Sequence, residues 1–106
     1  MDLGNIFLAY LKYDDITGGK TRPVLYIEQA DGYHYVYKIT SKFSNKSLQI
    51  RPKHYEINDW KQSGLKKGSW IDCNKRYKLP IRKSELRYLG KLSKLDLKQL
   101  LTFMNS

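Results

Sequence analysis

Ala30-Asp31-Gly32 lies between two apolar runs, 22–29 and 33–40. Asp-Gly in that setting signals a tight hairpin, because the turn it favours needs positive φ at both central residues. The first half of the chain is thereby committed to an antiparallel pair. In the second arm Tyr33, Tyr35, Tyr37 and Ile39 fall on one face and His34, Val36, Lys38 and Thr40 on the other, which predicts one apolar face and one chemically equipped face. A further strand-like run, Gly4–Leu11, precedes the pair and reaches it through a Gly-rich polar loop. Arg22 stands where that loop re-enters the sheet, its backbone driven toward the extended region by Pro23. A guanidinium fixed there suits bidentate capture of a phosphate, although the segment alone favours an ion pair with Asp14, Asp15 or Asp31.

The later segments predict more strands and one helix. Ser44–Ser47 reads as a turn before a strand over 48–57, and Asn58–Gly64 as one short helical turn with an Asn/Asp cap and a glycine stop. Shorter strand candidates occupy 68–72 and 76–80. From Ser93 the period changes: Leu97, Leu100, Leu101 and Met104 follow helical spacing, Ser93 and Asp96 form an acidic capping box, and Leu92 and Leu97 a hydrophobic staple. A chain of 106 residues holds one domain, 1–106. Five or six mostly antiparallel strands and a terminal helix then predict a mainly β fold, one small curled sheet or barrel.

Charge narrows the partners. Residues 1–34 carry three Lys/Arg against five Asp/Glu, whereas 35–106 carry seventeen against five. Such a basic field points to a polyanion, nucleic acid above all, or to a solvated lysine-rich surface. Lysine predominates, which suits following a backbone more than reading bases. No apolar run is long enough to span a bilayer, and Met1-Asp2-Leu3 does not resemble the start of a signal peptide, so a cytoplasmic location is expected. The single Cys73 excludes an internal disulfide.

Two histidines twenty residues apart and scattered carboxylates match no zinc or two-metal spacing, so neither metal nor cofactor is expected. Gly18-Gly19-Lys20-Thr21 lacks the earlier glycine of a phosphate loop and precedes a strand. What remains is metal-free chemistry, and RNA cleavage needs little more, because its 2′-hydroxyl is a built-in nucleophile beside the phosphodiester. Arg22 suits charge stabilisation; His34 and His54 alone have an ordinary pKa fit for proton transfer. A lone strand histidine is, however, more often a packing residue. Aromatic side chains are interleaved with the lysines, and Trp60 and Trp70, beside turn-like segments, are the candidates for stacking on bases.

Gly4-Asn5-Ile6-Phe7-Leu8-Ala9, Thr21-Arg22-Pro23-Val24-Leu25-Tyr26-Ile27 and Lys38-Ile39-Thr40-Ser41, followed by Ser69-Trp70-Ile71 and Leu89-Gly90-Lys91-Leu92 before an amphipathic helix, together resemble the MazF/PemK family of type II toxin–antitoxin toxins. The resemblance covers nearly the whole chain and rests on the order and spacing of these motifs. It implies an SH3-like antiparallel barrel of the CcdB/PemK type with a C-terminal helix, a homodimer, and metal-independent, sequence-selective cleavage of single-stranded RNA to a 2′,3′-cyclic phosphate and a 5′-hydroxyl. It also implies catalytic roles for Arg22 and Thr40, and RNA contacts from Gly19, Lys20, Thr21, Lys38, Ser41, Lys42 and Trp70. An acidic cognate antitoxin is expected to lie across the same groove. The family view gives part of the proton transfer to the arginine, with His34 and Lys38 as the other candidates.

Asn5 stands where the family commonly has Asp, and the loop before Arg22 lacks the frequent Ser-Glu-Gln run, so the recognised RNA sequence does not carry over. Two other classes remain: a CcdB-like inhibitor of DNA gyrase acting through its terminal helix, and a non-catalytic RNA-binding barrel. Gyrase-linked DNA breaks without RNA cleavage distinguish the first, and salt-sensitive binding indifferent to Arg22 the second.

Overall fold

A computed structural model describes residues 1–13, 16–42 and 53–106. The chain forms β1 (Asn5–Lys12), β2 (Gly19–Ala30), β3 (Tyr33–Thr40), β4 (His54–Glu56), β5 (Trp70–Pro80), β6 (Arg87–Lys91) and α1 (Lys94–Met104). The six strands make one antiparallel sheet in the order β4-β5-β3-β2-β1-β6. The fold is therefore mainly β with a C-terminal helix, as the sequence predicts.

The hairpin forms at Asp31-Gly32, with φ of 53° and 83° at the two residues, the paired positive φ values that favour Asp-Gly in such turns. The two short candidates at 68–72 and 76–80 merge into the single strand β5. The turn at 44–47 and half of the strand expected over 48–57 lie outside the described residues; β4 is the strand seen in the rest.

Six strands with extents of only 32 × 29 × 27 Å must coil. Their ends are brought together by the turn after β4. There Ser63 N–H donates to the Asp59 carbonyl at 3.2 Å, a helical turn that Gly64 stops at φ 89°. This turn lies against β6. A Cβ on Gly64 would sit 2.3 Å from the Leu89 carbonyl oxygen, and one on Gly90 2.4 Å from that of Ser63. The seam of the barrel-like sheet is thus backbone against backbone, which only glycine permits.

The coiled sheet buries both faces. Ile6, Leu25, Tyr37, Ile39, Ile71 and Leu100 belong to one core, between the sheet and α1. Phe7, Ala9, Leu11, Val24, Tyr26 and Val36 form a second, with Leu79 and Leu86 packed against it. This corrects the expectation of one apolar and one equipped face on β3, since Val36 and His34 are as buried as Tyr37 and Ile39. Burial on both sides removes the alternation that one solvated face would impose.

Helix α1 begins as expected: the Ser93 hydroxyl accepts the Asp96 N–H at 3.1 Å, and Leu92 and Leu97 both pack into the first core. Its inward face is rotated from the expected one. Leu97, Leu100 and Phe103 contact the core, whereas Leu101 and Met104 are exposed. The rotation follows from Asp96, which is fully buried beside Leu100.

Candidate functional site

Strand register decides what stands at the mouth of the loop before Arg22. Next to the turn Ala30 pairs with Tyr33 and Gln29 with His34. Carried straight on, that register would put Pro23 opposite Thr40. β2 instead holds one extra residue at Ile27, so Tyr26 pairs with Val36 and Val24 with Lys38. The paired ladder ends there; its offset, carried two residues further, sets Arg22 level with Thr40. Arg22 pairs with Ala9 of β1, and Thr40 with Trp70 of β5; by the offset of the Val24–Lys38 pair the two candidates stand on one row, although the β2–β3 ladder itself does not reach them.

A cavity of about 460 Å³ opens at this row. Lys20, Thr21 and Arg22 line it from β2, and Lys38, Thr40, Ser41 and Lys42 from β3 and the residues after it. The turn before β5 adds Lys66, Lys67 and Ser69, and Leu8, Leu65 and Leu89 supply apolar wall. Among the described residues no Asp, Glu, His or Cys lines it. The result is a cluster of cations around hydroxyls, an environment suited to a phosphodiester. Seven of the nine site residues expected from sequence share this cavity. Gly19 and Trp70 adjoin it, one in sequence and one in register, without lining it.

Thr40 is only 7% exposed, and its hydroxyl oxygen accepts the Lys42 N–H at 3.1 Å. That bond fixes the hydroxyl while leaving its proton to be donated. Arg22 is half-buried. Among the described residues no carboxylate pairs with it; Asp31 lies in the hairpin turn, and Asp14 and Asp15 are outside the described residues. Lys38 reaches inward to Asp72 at 3.6 Å, and Asp72 lies 3.6 Å from His54. Burial alone would raise the Asp72 pKa, but two hydrogen bonds from Asn74, with His54 and Lys38, hold it below its ordinary value. A carboxylate therefore anchors the Lys38 ammonium at the cavity wall.

The histidines do not line the cavity. His34 lies six residues from Thr40 along β3, about 20 Å by strand rise. Its Nδ1 hydrogen-bonds the Tyr26 hydroxyl at 2.8 Å inside the second core. Burial, then the positive amino terminus, lowers its pKa, so it is a neutral packing histidine. His54 is buried behind Asp72. Trp60 packs on the first core with Lys61 over its ring at 5.5 Å. The sequence reading missed the share of Lys66, Lys67 and Ser69; the basic pair Lys66-Lys67 between Leu65 and Gly68 was the available signal.

Among the described residues no three His, Cys, Asp or Glu side chains cluster as a metal site, and no helix is long and apolar enough to cross a membrane. No family model and no curated protein matches the chain.

Proposed function

We propose that the protein is a metal-independent endoribonuclease of the MazF/PemK kind, the toxin of a type II toxin–antitoxin pair, cutting single-stranded mRNA at a selected sequence. One observation carries this reading: the Ile27 bulge brings Arg22 level with Thr40 in a cavity lined by cations and hydroxyls. In the reaction the 2′-oxygen gives up its proton and attacks the adjacent phosphorus. The bond from phosphorus to the 5′-oxygen breaks, and that oxygen takes up a proton. A 2′,3′-cyclic phosphate and a 5′-hydroxyl result. Arg22 holds the non-bridging oxygens as charge builds on them, and the Thr40 hydroxyl donates to one. With His34 remote, proton transfer falls to Arg22 and Lys38, the latter oriented by Asp72. An acidic antitoxin segment fits the same cations, a homodimer is the expected assembly, and the cytoplasm, where mRNA resides, is the expected location.

The test is digestion of a long single-stranded RNA in excess EDTA, with ends mapped by primer extension and Arg22→Ala protein alongside. Discrete cuts that vanish in the variant support the reading. Absence of cuts, or cuts that persist in the variant, overturns it. A gyrase inhibitor acting through α1 is the second reading, favoured by Leu95, Leu101 and Met104 standing exposed on that helix; DNA breaks dependent on gyrase would select it.

A further inference from the structure

A larger cavity, about 870 Å³, adjoins the first and shares Leu8 and Thr21 with it. The two are therefore neighbours, the second lined by Leu8 through Lys12 of β1 and by Tyr13, the residue after it. Two features distinguish the second part. Among the described residues its lining includes Lys12, Lys78, Lys83 and Arg87 against one carboxylate, Glu85. It also presents two largely exposed rings, Tyr10 at 53% and Tyr13 at 43%. Water-exposed tyrosines in a concave basic surface are not core residues.

Gly18 and Gly19, shortly before Arg22, lie against these rings. A Cβ on Gly19 would lie 2.7 Å from the Tyr10 ring and 2.4 Å from the Leu11 carbonyl oxygen. Gly18, at φ 99°, has the Tyr13 ring 3.8 Å from its Cβ position. Each tyrosine lies against a glycine, Tyr10 through Cζ and its hydroxyl and Tyr13 through Cε2 and Cδ2, and much of each ring is left exposed. Three more rings at this end of the sheet already hold cations: Lys75 lies over Tyr77, Arg76 over Tyr35 and Lys78 over Tyr33, at 4.7 to 4.8 Å. Those contacts spread positive charge over the walls, leaving Tyr10 and Tyr13 as the stacking platform.

We infer that this second cavity is a subsite for unpaired nucleotides flanking the cleaved phosphodiester, with bases stacked on Tyr10 and Tyr13 and phosphates neutralised by Lys12, Lys83 and Arg87. It rests on the ribonuclease reading and deepens it: the substrate is a single strand longer than the cavity at Arg22 can hold, and a short oligonucleotide binds incompletely. Stacking on aromatic rings in a positive groove is the general way that proteins hold single strands without demanding a sequence.

Binding of 2′-O-methyl oligouridylates, which lack the nucleophile, tests it independently of cutting. Strands of about four and about twelve nucleotides are titrated by fluorescence anisotropy into wild-type, Tyr10→Ala, Tyr13→Ala, Tyr10→Phe and Lys83→Glu proteins, with Tyr88→Ala as a control outside the cavity. The expected result is a gain in affinity from short to long strand that Tyr10→Ala and Tyr13→Ala each cut about tenfold. Tyr10→Phe keeps that gain, Tyr88→Ala leaves it unchanged, and Lys83→Glu flattens the salt dependence. Long-strand affinity unaffected by either alanine variant, with cutting at Arg22 intact, would overturn the subsite alone. Failure of wild-type protein either to bind any strand or to cut RNA would overturn both readings. A polyglutamate peptide bound as tightly as the long strand, with the same dependence on Tyr10 and Tyr13, would overturn it in favour of an acidic protein partner.

Discussion

The Tyr55 hydroxyl donates to the Asp96 carboxylate at 2.8 Å, joining β4 to the first turn of α1 across forty-one residues. The same carboxylate accepts the backbone N–H of Asn58 at 2.9 Å and of Asp59 at 2.8 Å. Burial raises its pKa, yet the Asn58 and Asp59 N–H groups and the Tyr55 hydroxyl outweigh burial and hold it below the ordinary value. A carboxylate with a depressed folded-state pKa stabilises the fold above its unfolded value, about 3.9, and loses that contribution as pH falls through the folded value. Asp96→Ala is expected to cost about 3 kcal/mol at neutral pH by stranding these donors. Denaturation followed from pH 7 to 2.5 should show the wild-type advantage shrinking below about pH 4.

At the Arg22–Thr40 row the conservative variants are more informative than deletions. Arg22→Lys keeps the charge and loses the planar fork, so cleavage is expected to fall by about 100-fold or more while RNA binding changes little. Thr40→Ser keeps a hydroxyl and retains activity; Thr40→Val removes it and does not. Single-turnover rates with unchanged circular dichroism check both pairs.

The seam at Gly64 and Gly90 admits no side chain. Gly90→Ala forces a methyl against the Ser63 carbonyl, and overpacking against backbone costs about 2 kcal/mol. For a domain this small the melting temperature should drop by roughly 10 °C. Because Gly64, Leu65 and Leu89 also line the cavity at Arg22, the same variant is expected to slow cleavage below the melting range.

Cys73 is half-buried, and burial followed by the neighbouring Asp72 charge pushes its thiol up to about 12. At pH 8 the thiolate fraction is then about 10³-fold below that of a free cysteine. The greater nucleophilicity of a more basic thiolate recovers part of this, leaving roughly 50-fold slower alkylation. Iodoacetamide labelling read by mass spectrometry should be slow in native protein and jump on unfolding; fast native labelling would contradict the burial.

Local signals were the legible ones. Asp31-Gly32 announced its turn and Ser93 its helix because each acts through neighbours a few residues away. Arg22 stood out beside Pro23 as a phosphate holder, whereas Thr40 and the pairing of the two were reached through the resemblance, and the hairpin made their approach reasonable. Hairpin counting alone pairs Thr40 with Pro23, since no residue type at Ile27 announces a bulge. The inward rotation of α1 was hidden for a different reason. Asp96 reads as a cap, and only the distant N–H groups of Asn58 and Asp59 turn it into a buried anchor. Tyr10 and Tyr13 were likewise read as parts of a strand and a loop; their exposure depends on how β1 meets the chain after β5.

The glycine seam has a consequence for the chain among its own copies. A coiled sheet that stops short of closing leaves two edges with unpaired N–H and C=O groups, templates for joining a neighbour's strand. Here one edge strand, β4, is three residues long, and the other, β6, has the Ser63–Gly64 backbone laid against it. Any motion that parts the seam uncovers a pairing edge and at the same moment withdraws a wall from the cavity at Arg22. Resistance to aggregation and integrity of the site therefore depend on the same two residues.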